Sequence, residues 1–498
     1  MEKVENIYLW LIAISGLSFW FFLGFPFANY YESYYWIGEL NNSSFLQMIF
    51  QPTGHYTTYR PLGQLVILIL YKAANGSIFL IQLSSYILTI SAIFIVIKSL
   101  NEKRIFSLTS IFIGGFLFSG FGYLFHLHGL YYGAILLFLS LLFYNHRKNF
   151  SNNNFIITSS AAFITSLFHP LALIFHIFYL AGNTIEKRKS LIKKQYVMII
   201  SVIIVELILL FILSPGQKIY LNSDNLKGLM EIYKSFEMNK IITVFLILLS
   251  LVPVISLKIQ KLNRIYLLTA IIILSVICIL NSLPILIVVA FSCGLKLIHT
   301  KRWAILSLLI ATFFFTVFTD VQSGHLKVFV LFVLAYSIAV DWKSLEDEMQ
   351  FIKFNFSYSV VFIVALMIFL LRSEMNVPVL SKLSDSIFAK KESSYQLEEV
   401  IDWYLKSDYN NNDTELWLYD NSVKNKNIEC SESTDLNPTT NENLHIYLNS
   451  INRGKELDKI KSQKLYILFN NCEISESRLV HFLKGKYSKE VSVFLAND

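Results

Sequence analysis

Between positions 29 and 62 the chain sets two acids, a histidine and a guanidinium among aromatic residues. Glu32 closes Asn29-Tyr30-Tyr31-Glu32, Glu39 sits in Trp36-Ile37-Gly38-Glu39-Leu40, His55 follows, and Arg60 lies in Tyr59-Arg60-Pro61-Leu62. An apolar run, Ile7 to Phe27, precedes this stretch and another begins at Pro61, which puts these groups at a membrane surface. A carboxyl group in apolar surroundings is costly in its charged form, and burial raises a carboxyl pKa toward that of a working general base. Glu32 is the candidate catalytic base for a hydroxyl nucleophile; the competing reading is a solvated loop acid. Glu39 is the reserve base or substrate contact, against a water-facing place on a surface helix. Arg60 offers a planar fork that matches phosphate or carboxylate oxygens two at a time, against the common role of an arginine snorkelling at a helix end. Pro61 stiffens the start of the next helix and so fixes where Arg60 projects. Trp36, His55 and Tyr59 are the remaining substrate-contact candidates; Tyr59 either stacks on a sugar or is an interfacial aromatic.

Further candidates lie at or inside apolar runs. His126, His128 and His169 fall at span ends on the same side as Arg60, where imidazoles suit a phosphate leaving group; His128 and His169 join Arg60 as donor-phosphate contacts, against interfacial histidines with no special duty. Glu206 lies within a span, where an ionisable residue marks function by default and helix-to-helix hydrogen bonding is the alternative. Lys218, Lys227, Lys234 and Lys240 form a basic loop that attracts a lipid phosphate or is simply solvated. No spacing of His, Cys, Asp or Glu makes a metal site, so no metal or other cofactor is expected. Cys278 and Cys293 sit in apolar runs as small hydrophobes; Cys430 and Cys472, in the polar tail, are a disulfide candidate in an oxidising compartment.

The elements that must position these groups are membrane helices. Of 498 residues 54% are hydrophobic and 15% charged, too little charge to cover a soluble protein of this length. Apolar runs of the length needed to cross hydrocarbon recur along the chain. The first lacks a basic leader and a cleavage motif, and reads as a retained helix. The net charge of +7 calls for no nucleic acid, because the Lys and Arg residues cluster in short loops as orientation signals.

Expected spans follow at Ser77–Ile97, Ile105–Phe125 and Gly129–Tyr144, after a short helix from Pro61 to Tyr71. Phe155–Leu180 resembles one crossing, yet a single crossing would carry the basic cluster Glu186-Lys187-Arg188-Lys189 to the wrong side. His169-Pro170 resolves this as the turn of two short re-entrant helices. Tyr196–Leu213, Ile241–Leu257, Ile265–Leu280, Pro284–Ile298, Trp303–Phe318, His325–Val340 and Phe354–Leu371 complete about thirteen transmembrane or re-entrant helices. Lys258–Arg264 and His299–Arg302 then fall on the N-terminal, cytoplasmic side. The Glu32 loop, residues 215–240 and the tail fall outside.

From Ser373 the composition becomes polar. Thr414–Tyr419, Leu444–Tyr447, Lys464–Phe469 and Val491–Leu495 read as strands, and Leu397–Leu405 and Ser477–Leu483 as amphipathic helices. The expected layout is a transmembrane domain over residues 1–372, with residues 28–60 as its first outer loop, and a small extracytoplasmic α/β domain over 373–498.

The acid after the first span together with Tyr59-Arg60-Pro61-Leu62, continued by Tyr71-Lys72-Ala73-Ala74-Asn75-Gly76, resembles the GT-C superfamily of integral-membrane glycosyltransferases. The motif is similar to that of protein O-mannosyltransferase-like branches, and the layout resembles bacterial O-antigen serotype-converting glucosyltransferases. One departure stands out: the family's paired acids are reduced to Glu32 between Tyr31 and Ser33. The resemblance implies transfer of a hexose such as glucose from a polyprenyl-phosphate donor to an extracytoplasmic acceptor, such as O-antigen or another surface glycan, in a bacterial inner membrane. It implies an inverting displacement with Glu32 as base and Arg60, His128 and His169 on the leaving phosphate.

Two other classes compete. A surface-polysaccharide polymerase or ligase places Arg-rich outer loops in mid-chain, whereas residues 215–240 contain no Arg. A lipid-linked-sugar flippase or transporter shows related halves and several intramembrane charges, and no repeat is evident here.

Overall fold

The computed structural model describes residue 40 and residues 44–50, 59–76, 79–100, 129–146, 151–214, 240–255, 257, 259–281, 283–318, 327–340, 414–420, 463–469, 479–484 and 490–497. Contacts divide the chain into two compact units. One comprises Met1–Leu17, Ile49–Ile69 and Phe79–Met375; the other Ser18–Met48, Leu70–Ile78 and Asn376–Asp498.

Twelve helices are described: α1 (Phe45–Phe50), α2 (Pro61–Ala73), α3 (Phe79–Leu100), α4 (Gly129–His146), α5 (Asn152–Ser166), α6 (Leu171–Lys187), α7 (Lys193–Leu213), α8 (Lys240–Ile255), α9 (Lys261–Leu280), α10 (Leu286–His299), α11 (Trp303–Phe318) and α12 (Lys327–Ala339). Four of them, among the described residues, are long and apolar enough to cross a membrane: α3, α4, α7 and α9. The protein is a helical, membrane-embedded one. Helix α4 is buried on nearly all sides, whereas α7 and α9 leave most of their apolar surface exposed, as expected of helices that face lipid.

Local sequence sets the helix ends. Ser151 caps α5, its hydroxyl accepting from the Asn154 N–H at 3.2 Å, the usual use of serine at this position. Helix α5 stops at Ser166 because Pro170 lacks an N–H and pushes the preceding His169 away from helical backbone. After the turn at Leu167–Pro170, α6 begins. Both ends of this pair border one small cavity, whose walls include Asn154 and Thr158 of α5 with Asn183 and Lys187 of α6. The two helices therefore run antiparallel, as the expected hairpin around His169-Pro170 requires. They hold 15 and 17 residues, about 22 and 26 Å long. Lys301, with φ of 58°, closes α10: its N–H reaches the Ile298 carbonyl and the Arg302 N–H that of Leu297. This is a Schellman ending that turns the chain directly into α11. The sequence placed Arg264 in a basic loop; instead α9 starts at Lys261 and carries Arg264 in its first turn. There its Nη2 donates to the Leu257 carbonyl at 2.8 Å, so the cation holds down the preceding chain.

The core draws buried residues from every helix from α3 to α12. Phe143 of α4 stacks on Tyr336 of α12 at 3.9 Å between ring centres. Gly182 of α6 lets α11 approach closely: a Cβ there would stand 2.8 Å from the Ala304 Cα and against the Trp303 carbonyl. Lys296 of α10 is buried and donates to the carbonyls of Ser337, Ile338 and Val340. It satisfies the last acceptors of α12 where water is absent.

In the polar tail four strands form one sheet: β1 (Thr414–Asp420), β2 (Gln463–Phe469), β3 (Leu479–Lys484) and β4 (Glu490–Asn497), in the order β1-β2-β4-β3. Strands β1 and β2 pair in parallel, and β4 pairs antiparallel with both β2 and β3. Three strands coincide with the alternating segments of the sequence. The fourth corrects it: Leu479–Lys484 lies in the segment expected to be a helix. Its apolar run fits either period, and pairing with β4, with an irregularity between Leu479 and His481, decides for the strand.

Candidate functional site

Two ends of the helical bundle carry its polar chemistry. At one end the Tyr59-Arg60-Pro61-Leu62 segment is bound on both sides. The Tyr59 N–H donates to the Leu213 carbonyl at the end of α7, at 2.8 Å. The N–H groups of Leu62 and Gly63 both donate to the Leu167 carbonyl in the α5–α6 turn, at 3.1 and 3.2 Å. The first free amides of α2 are thus used to grip the hairpin. Gly63 makes this possible: a Cβ would stand 2.8 Å from Tyr131 Cδ1 and 3.3 Å from the Phe168 Cα.

The half-buried Arg60 is held over the ring of Tyr131, in the first turn of α4, with its guanidinium carbon 5.0 Å from the ring centre. This cation–π seat fixes the plane of the fork. Its Nε is buried and makes no hydrogen bond among the described residues, so an anion arriving at Arg60 meets an unused donor in a sheltered position. His169 shares this end. It is buried, its ring stands 6.3 Å from that of Tyr132, and its Nδ1 accepts from the Leu171 N–H at 3.3 Å. A ring nitrogen that accepts leaves the proton of neutral imidazole on the other one, so Nε2 of His169 is the donor. The structure thus brings together Tyr59, Arg60 and His169, three of the candidates read from the sequence. It adds Tyr131, a core aromatic by composition whose place under Arg60 comes only from the fold. Glu32, Trp36, Glu39, His55, His126, His128, Cys430, Cys472 and the loop lysines Lys218, Lys227 and Lys234 lie outside the described residues.

The opposite end has a closed charge cluster. Glu186 accepts from the Ala304 N–H at 3.2 Å and faces His146 Nε2 at 3.7 Å and Arg302 Nη1 at 3.8 Å. It caps α11 while pairing with the Arg302 cation and facing the imidazole of His146. Burial pulls the neighbouring Lys187 ammonium below its ordinary range; Glu186 opposes this and Arg302 adds to it. Arg188, Lys189, Lys193 and Lys194 continue the basic surface at this end.

Between the two ends lies a pair that spacing could not show. Fully buried His176 of α6 and Glu206 of α7 meet at 2.5 Å, Nδ1 to Oε1. An imidazole nitrogen and a carboxyl oxygen at that distance are hydrogen-bonded to each other, and such pairing is how ionisable groups are tolerated inside a membrane. The sequence singled out Glu206 but not His176; the alternative of helix-to-helix hydrogen bonding is what the structure shows. No local spacing links the two, which lie thirty residues apart on separate helices.

Among the described residues no group of three His, Cys, Asp or Glu is placed to hold a metal ion. Cys278 and Cys293 are buried thiols outside any disulfide. No protein-family model matches the chain, and neither a curated protein sequence nor a solved structure matches it.

Proposed function

We propose that the protein is a GT-C-type glycosyltransferase that moves a hexose from a polyprenyl-phosphate donor to an acceptor outside the cytoplasm. One observation carries this reading: Arg60 is seated on Tyr131, with an unused buried Nε, at the same end of the bundle as the Nε2 donor of His169. Such an arrangement suits a phosphate at the bilayer boundary. Arg60 takes two phosphate oxygens through its fork and His169 donates to a third or to the bridging oxygen. Negative charge growing on the leaving group meets donors already in place, and the phosphate departs without Lewis-acid help. Glu32 takes the proton of the acceptor hydroxyl, which attacks the anomeric carbon from the opposite face and inverts it. Glu39, Trp36, His55 and Tyr59 hold the sugars. The finer architecture belongs to the same proposal: about thirteen spans in a bacterial inner membrane, the N-terminus cytoplasmic and the tail outside as a small α/β domain. The concentration of Lys and Arg at the Glu186 end supports a cytoplasmic position for that end and an outer one for Arg60.

The test is transfer from radiolabelled polyprenyl-phosphate sugars in membranes containing the wild type, Glu32→Gln or Arg60→Ala. Loss of transfer in both variants, with protein levels unchanged, is the expected result. Wild-type turnover in either removes that residue from the site, and no transfer by the wild type from any lipid-linked sugar removes the reading.

A further inference from the structure

A groove of about 600 Å³ opens between α5 and α7, with Leu173 of α6 as part of its lining. Its volume falls within the range of small-molecule sites. Phe163, Ile164 and Val205 line it and are also exposed, so it opens onto the apolar flank of the bundle, and a ligand enters from the hydrocarbon. Along α7 it runs from Met198 to Leu209, about 17 Å of helix. Among these apolar walls four polar residues line the groove: Ser159, Ser160, Ser201 and Glu206. Ser159 Oγ and Glu206 Oε2 are buried and make no hydrogen bond, and the Glu206 side chain is 5% exposed.

These atoms narrow the ligand. A bare hydrocarbon chain leaves two buried polar atoms unsatisfied, at a cost of about 1–3 kcal/mol each. An anion brings no donor to a carboxyl oxygen. An ammonium would set a full charge in apolar walls against a carboxyl group whose other oxygen is already engaged by His176. A hydroxyl both donates to Glu206 Oε2 and accepts from Ser159. The slot is walled by two helices over a third, which suits one chain rather than two. We propose that the α5–α7 groove is a lateral binding site for a single-chain lipid alcohol, its free hydroxyl held by Glu206 and Ser159. The proposal is independent of the transferase reading, and its test involves no sugar.

The full chain in lipid nanodiscs is irradiated with diazirine-bearing hexadecanol, its methyl ether, or a diazirine-bearing diacylglycerol, and the labelled peptides are mapped by mass spectrometry. The alcohol is expected to label segments 159–164 and 198–209 about tenfold more than the ether, the factor one hydrogen bond commonly supplies. Ser159→Ala should weaken that preference. Glu206→Gln should keep it, because the amide oxygen still accepts. Val205→Trp, at an exposed position at the groove mouth, should abolish labelling with thermal stability unchanged. Equal labelling by alcohol and ether overturns the proposal, as does full labelling of Val205→Trp or equal labelling by the two-chain lipid. So does a cross-link from Ser201→Cys to another polypeptide or a second copy that excludes the alcohol, which would make the groove a helix-docking site.

Discussion

The two ends of the bundle use the same residue types to opposite purposes. At the Glu186 end the carboxylate faces the Arg302 cation, the His146 imidazole and an amide in the first turn of α11; its chemistry is spent within the fold. At the Arg60 end the guanidinium rests on an aromatic ring and keeps a buried Nε unused. The first amides of α2 are occupied by the Leu167 carbonyl, so they position the arginine rather than compete with it. A closed cluster stabilises; an open one keeps a donor unspent. The difference is visible only when partners are traced atom by atom, since each end reads from sequence as charge at a helix terminus.

This contrast can be broken in graded ways. Arg60→Ala should lower initial transfer rates by about 10²–10³-fold, the effect of removing a placed donor from a developing negative charge, and leave the unfolding midpoint in detergent nearly unchanged. Arg60→Lys should restore only part, lacking the planar fork. His176→Ala should do the reverse. It strands Glu206 in the bundle interior at about 3–5 kcal/mol, read as a lower unfolding midpoint, whereas Glu206→Gln keeps a hydrogen bond to the imidazole and most of the stability. A midpoint unmoved by His176→Ala would show that the pair does not join α6 to α7.

The two close glycines separate the ends further. Gly182→Ala forces α6 away from α11 and should cost about 1–3 kcal/mol by overpacking against backbone, with transfer per folded molecule intact. Gly63→Ala pushes α2 from Tyr131 and the hairpin turn, and should lower transfer more than stability; equal effects of the two substitutions would erase the distinction. The smallest change is expected from Glu186→Gln. The amide oxygen still caps Ala304, and the partly exposed Arg302 loses an ion pair worth about 1 kcal/mol or less, visible as a loss of salt sensitivity in the unfolding midpoint.

Much of the helical frame was legible in advance, for reasons tied to particular residues. Long apolar runs must be helices in lipid because only a helix satisfies its own backbone there; Lys193–Leu213 and Gly129–His146 follow from that alone. The break at His169-Pro170 follows from a missing N–H and a local clash, both properties of proline wherever it stands. Arg60 ahead of Pro61 was legible for the same reason. What failed was non-local. The segment ending at Leu483 carries an apolar pattern compatible with either period, and only the neighbouring β4 makes it a strand.

The sequence by itself determined that the chain lives in a membrane, where its hairpin turns, and which cation heads α2, because these depend on hydropathy, on proline and on neighbours a few residues away. Tertiary structure alone decided that His176 meets Glu206 thirty residues on, that Tyr131 lies under Arg60, and that Glu186 is consumed by α11 while Arg60 is left open. Those outcomes rest on helix crossings permitted by Gly63 and Gly182, and a close approach between distant segments leaves no periodic mark on either of them.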